Sequence, residues 1–110
     1  MISLDEQQLI QQYLSQQEKA TVDFPYTDSL AVYSVNQLPF AYLETVKDPM
    51  KVSLRSDPLL AQVLRQKYDE VSPGHKLNPK IWNTIILSGQ LSFDEVTALI
   101  DHSYQLALGD

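Results

Sequence analysis

Five side chains between positions 51 and 80 could do chemistry together: Lys51, Arg55, His75, Lys76 and Lys80. Lys51 and Arg55 stand four residues apart, and alternate residues of a strand share one face. His75, Lys76 and Lys80 surround the turn residues Pro73, Gly74, Asn78 and Pro79. Cations in such a group contact phosphates, and an aromatic ring beside them can stack on a base. Trp82 is that ring. It also leads into the apolar run Asn83-Thr-Ile-Ile-Leu87, and a large ring in that position belongs in a core with its indole N–H bonded to backbone. Burial is therefore the expectation for Trp82.

The patterns of catalysis fail on geometry. Asp101-His102-Ser103 has the composition of a catalytic triad, but consecutive helical residues point about 100° apart and cannot form a nucleophile–base–orienter chain. The expectation is an exposed Asp–His pair. His75 and His102 have no third ligand at helical or hairpin spacing, so no metal site is expected. The paired carboxylates Asp5-Glu6 and Asp94-Glu95 fall in the first turns of helices, where the helix dipole favours them, and Asp69-Glu70 reads as solvated. The chain has no Gly-x-Ser-x-Gly elbow and no phosphate-cradling glycine loop. The reading is of a protein that is not an enzyme and takes no cofactor.

Charge sharpens the choice among binding functions. The net charge is −6, and it is unevenly placed: −5 over residues 1–46, +3 over 47–80 and −4 over 81–110. An acidic protein is repelled by nucleic acid, so any DNA binding would rest on the central segment and would be weak and non-specific. There is no cysteine, which removes disulfides and thiolate ligands and suits a reducing compartment. Met1-Ile-Ser-Leu-Asp-Glu6 lacks the basic and apolar regions of a secretory signal, and no apolar run approaches the roughly 20 residues of a membrane span. A cytoplasmic protein is expected.

The elements that must position these residues follow from periodicity and caps. At 110 residues the chain is one domain, 1–110. A helix is expected over residues 3–17, with Ser3 and Glu6 at capping-box spacing and Leu9, Ile10, Tyr13 and Leu14 as its apolar stripe. Residues 21–28 read as a loop, because Pro25 forces Phe24 into an extended conformation; Phe24 and Tyr26 are expected to lie back on the core. Strands are expected over 30–35 and 40–46, joined at Asn36-Gln37, with Phe40, Tyr42 and Val46 on one face and Ala41 and Leu43 on the other. Residues 51–55 alternate, with Val52 and Leu54 inward and Lys51, Ser53 and Arg55 outward.

Asp57 and Pro58 start a second helix, 57–69, whose buried face is read as Leu59, Leu60, Val63, Leu64 and Tyr68. His75 to Leu77 reads as a short strand, and Trp82 to Leu87 reads as another. A third helix, 92–108, carries a Ser92/Glu95 capping box and a Leu91/Val96 staple. The order α-β-β-β-α-β-β-α implies an α+β fold: an antiparallel sheet with three helices on one face and the other face open. An open face carrying Tyr33, Tyr42 or Ile86 would be an apolar patch of the kind that marks protein partners or a homodimer.

The order of short motifs resembles that of the MmcQ/YjbR family of small bacterial proteins. The resemblance rests on Val52-Ser-Leu-Arg-Ser-Asp-Pro58, Pro73-Gly-His-Lys-Leu-Asn78, Trp82-Asn-Thr-Ile85 and Ser103-Tyr104, with Asp23-Phe-Pro25 and Phe40-Ala41 in the first half. It implies a two-layer α+β domain similar to secretion-chaperone folds and a DNA-binding label. The chain departs from the pattern at Gln37-Leu-Pro39, where many relatives have Gly-Lys, and at Ile81, where many have His. Both departures remove polar or basic character beside the expected binding surface.

Overall fold

The computed structural model describes residues 4–46, 48–74 and 77–109. Its elements are α1 (Leu4–Ser15), β1 (Thr21–Asp23), β2 (Leu30–Val35), β3 (Leu38–Glu44), β4 (Lys51–Arg55), α2 (Pro58–Lys67), β5 (Val71–Pro73), β6 (Trp82–Ile86) and α3 (Phe93–Leu108). The strands form one sheet in the order β1-β2-β3-β4-β6-β5, antiparallel at every pairing. The fold is α+β, as the order of elements implied.

The register assigns each side chain to a face. Ala41, Leu54 and Asn83 lie opposite one another across β3, β4 and β6, as do Leu43, Val52 and Ile85. These residues are buried, the apolar ones in one core with Ile10 and Leu14 of α1 and Val96, Ile100 and Tyr104 of α3. Asn83 donates from Nδ2 to the carbonyl of Ala61 at 3.1 Å, which brings α2 onto the same side. All three helices thus cover one face.

The caps behave as the residue types dictate. Asp57 accepts from the amides of Leu59 and Leu60, and Ser92 and Glu95 exchange both bonds of a capping box. Gly109 ends α3 at φ 95°, in the left-handed region. Asn36 and Gln37 both take positive φ, 51° and 68°, so the β2–β3 hairpin uses the primed turn geometry without a glycine. The Ser3 end of the expected first capping box lies outside the described residues.

Several expectations need correction. Thr21–Asp23 is an edge strand rather than part of a loop, because its backbone pairs with β2; Phe24 and Tyr26 are exposed rather than folded onto the core. Phe40 faces the helices, not Tyr42: the β2–β3 register shifts after Tyr33, and the irregularity turns Phe40 inward against Tyr104, ring centroids 5.5 Å apart. Val46 lies beyond β3 and is exposed. Tyr33 is buried beneath the helices and belongs to no open patch.

The α2 helix is also rotated from its expected setting. Leu59 is 70% and Val63 47% exposed, and Ala61 is its buried residue. A small side chain lets the helix backbone come close to Asn83, and that approach turns Leu59 and Val63 outward. A strand not expected from the sequence is Val71–Pro73, while the short strand expected from His75 falls on residues that lie outside the described ones. Ile86 donates to the Glu70 carbonyl and Gly74 to that of Trp82, so Glu70, Ser72 and Gly74 face β6. The backbone groups of Val71 and Pro73 face out. The Val71 amide is bonded to the Tyr68 carbonyl at 3.2 Å and Pro73 has none, so this sheet edge offers no free N–H over β5.

Candidate functional site

The helix-free face is a grid set by the strand register. Its middle row runs Val32, Tyr42, Ser53, Thr84, Ser72 across five strands. The next row runs Leu30, Glu44, Lys51, Ile86. At the other end stand Arg55 and Trp82, paired across β4 and β6. A concavity of about 790 Å³ lies over the two fuller rows. Hydroxyls of Ser53, Ser72 and Thr84 form its floor, and Ser53 and Thr84 are hydrogen-bonded to each other at 2.7 Å. Tyr26 and Tyr42 wall one side, Pro73 and Leu77 the other. Burial holds the Tyr42 phenol above its ordinary pKa, reinforced by neighbouring Tyr26 and partly offset by Arg55.

Trp82 is 5% exposed, as expected of a core residue, although it stands on the face away from the helices. Tyr42 packs edge-on to it at 5.3 Å between centroids, and the Arg55 guanidinium lies 4.9 Å from its ring centre. Gly74 lies close against it: a Cβ on Gly74 would come within 2.8 Å of the Trp82 Cβ. Only glycine permits that approach without displacement.

The structure divides the five residues singled out from sequence. Arg55 is engaged, donating from Nε to the Pro39 carbonyl at 2.7 Å while covering Trp82. Lys51 stands at the opposite end of β4, directly across from Glu44, and has no bonding partner among the described residues. Lys80 is exposed in the turn whose Ile81 carbonyl accepts from the Ser56 amide, which sets it near the Arg55 end. His75 and Lys76 lie outside the described residues. Lys51 and Arg55 are thus about 13 Å apart along the strand, with a hydroxyl between them rather than a continuous basic surface.

Nor are Asp101 and His102 an idle exposed pair. Asp101 accepts from the Tyr13 hydroxyl at 2.7 Å, and His102 accepts through Nε2 from the Asp57 amide at 3.1 Å. Ser103 is fully buried; its hydroxyl accepts from the Arg55 amide at 2.8 Å and donates to the Phe40 carbonyl. Sequence reasoning missed Glu44, Ser72 and Thr84 as site residues, and assigned Tyr26 to the core. Alternation in β4 put Ser53 on the outer side, but its pairing with Thr84 depends on a register that only the fold supplies.

Residues 15–106 match the family model named YjbR. The chain belongs to the YjbR family. Over 74 residues it is 38% identical to the uncharacterized protein YjbR of Escherichia coli K12, a match covering 67% of this chain and 63% of that protein; the O157:H7 counterpart matches to the same extent. Among solved structures it is similar to Deinococcus radiodurans protein DR2400, described as carrying a DUF419 domain. That likeness has a TM-score of 0.86 at 27% identity and covers 92% of this chain and 77% of the other. A Pseudomonas syringae protein is similar at a TM-score of 0.76 and 27% identity, covering 92% and 97% of the two chains. In this YjbR chain the motif residues Ser103 and Trp82 are buried in packing roles, and Gly74 leaves room for the Trp82 Cβ.

Proposed function

We propose that this YjbR chain is a non-enzymatic binding domain whose helix-free concavity docks a polypeptide segment of a partner protein. The observation that carries the reading is the composition of that concavity. It joins aromatic and aliphatic walls to a hydroxyl floor, and its facing charges, Lys51 and Glu44, balance. Hydroxyls both donate and accept, which suits the alternating donors and acceptors of a peptide backbone. The walls offer Tyr26, Leu30 and Leu77 to apolar side chains. A pocket of a few hundred cubic ångströms with few polar groups is the usual form of a binding site.

The same geometry favours polypeptide over nucleic acid. Trp82 is too buried to stack on a base, Arg55 is engaged within the protein, and Glu44 faces Lys51. The reading is non-enzymatic because Asp101, His102 and Ser103 are each committed to structural hydrogen bonds on different neighbours. The test is selection of a displayed random-peptide library on immobilised protein, repeated with Thr84→Arg, which fills the floor. Enrichment of peptides by the native chain and its loss in the variant is the expected result. Failure to enrich, or enrichment indifferent to Thr84→Arg, would sink the reading.

A further inference from the structure

Among the described residues, Lys51 and Glu44 are the charged side chains that line the concavity. They are direct cross-strand partners, in the row Leu30, Glu44, Lys51, Ile86. Both are half-buried. Neither makes an ion pair or a side-chain hydrogen bond among the described residues. Other charges nearby do not reach in. Arg55 is held by the Pro39 carbonyl and the Trp82 ring, and Glu70, whose carbonyl accepts from the Ile86 amide, is not part of the lining.

We infer that this pair selects the docked segment by charge: the segment carries a base that seats on Glu44 and an acid that seats on Lys51, two residues apart in an extended chain. The inference rests on the concavity being a polypeptide site. Spacing supports it. Directly opposed residues of an antiparallel pair have Cα atoms about 4.5–5.5 Å apart. Residues i and i+2 of an extended segment lying along the row point to one side about 6.8 Å apart, and long side chains close the difference. Energetics support it too. An ion pair this near solvent is worth little, so a ligand that offers both charges parts Lys51 from Glu44 at small cost. A ligand that offers one charge leaves the other residue unanswered and sets like charges together, which is penalised. A segment of both signs is the chemistry that the two residues accept at once. The walls then fix the order of the signs. Glu44 shares β3 with Tyr42, on the tyrosine side, and Lys51 stands on the side toward Pro73 and Leu77. The base therefore lies toward the end of the segment that meets the tyrosines, and the acid toward the end that meets Pro73 and Leu77.

The test exchanges the two charges. Lys51→Glu/Glu44→Lys keeps the net charge at −6 and keeps opposite charges facing across β3 and β4, so an unchanged thermal midpoint is expected. Peptides selected from a displayed random library by the native chain are expected to carry a base and an acid two residues apart, in one order relative to their apolar residues. The exchanged chain is expected to select the reverse order. A synthetic peptide from the native pool is expected to bind the exchanged chain at least about tenfold more weakly, and the same peptide with its own two charges exchanged is expected to recover the loss. Selected peptides without the pair, one order from both proteins, or equal binding of one peptide to both would overturn the inference and leave the docking reading standing. No enrichment by either protein would overturn both.

Discussion

Ser103 holds open a junction that the sheet would otherwise lack. The β3–β4 pairing runs from Glu44–Lys51 to Ala41–Leu54. Beyond it, the Ser103 hydroxyl bridges the Arg55 amide and the Phe40 carbonyl, tying both strands to α3. Ser103→Ala would orphan a buried donor and acceptor together and is expected to cost about 1–3 kcal/mol, read from the midpoint of urea unfolding. Trp82 anchors the outer face in the same way that Phe40 anchors the inner one. Trp82→Ala is expected to lose about 3–5 kcal/mol by denaturant melts; a loss below about 1 kcal/mol would assign Trp82 to binding instead. Glu95 carries the pH prediction. The Ser92 amide, followed by the Tyr68 hydroxyl, holds its carboxyl below the ordinary carboxylate pKa. A depressed folded pKa means stabilisation that is present above the unfolded value, about 4.3, and is lost as pH falls through the folded one. The difference in melting temperature between the native chain and Glu95→Gln is expected to be largest near neutrality and to vanish in acid.

At the scale of elements, what could be read in advance was what depends on near neighbours in sequence. Asp57-Pro58 and Ser92-x-x-Glu95 mark helix starts through bonds spanning three residues, and both are found in place. The alternation in Lys51–Arg55 needs only the strand's own period. What escaped depends on distant partners. Nothing near Thr21 in sequence says that Ser34 will pair with it, and nothing within α2 says that Ala61 rather than Leu59 will meet Asn83. The site was half legible for the same reason: Lys51, Ser53 and Arg55 point outward as alternation requires, yet the capture of Arg55 by Pro39 and Trp82 is a long-range event. Gly74 gives this scale its own test. Gly74→Ala forces a Cβ against the Trp82 Cβ and is expected to cost about 1–3 kcal/mol by overpacking. Combined with Trp82→Gly, which removes that Cβ, it should cost less than the sum of the two single changes, because they share one contact.

For the whole molecule, the distribution of charge sets what it repels. If Lys51, Arg55, Lys76 and Lys80 each contacted one phosphate, log K would fall against log salt with a slope of about −3 to −4. A net charge of −6 opposes the approach over a Debye length of roughly 8 Å. Titration with duplex and single-stranded DNA is expected to show no sub-micromolar binding near 0.15 M ionic strength, roughly the physiological value. Sub-micromolar affinity there, reduced in Lys51→Glu/Arg55→Glu, would restore nucleic acid as the ligand. Pro73 sets a different limit, on how many copies can be joined through their sheets. Growth of a strand-paired array needs two receptive edges on each molecule, one to accept a neighbour and one to offer the next. Among the described residues, β5 has no free amide to give on that side, which leaves β1 as the edge open to such pairing. A sheet that is open on its face thus has, over β5, an edge that resists extension by a further strand.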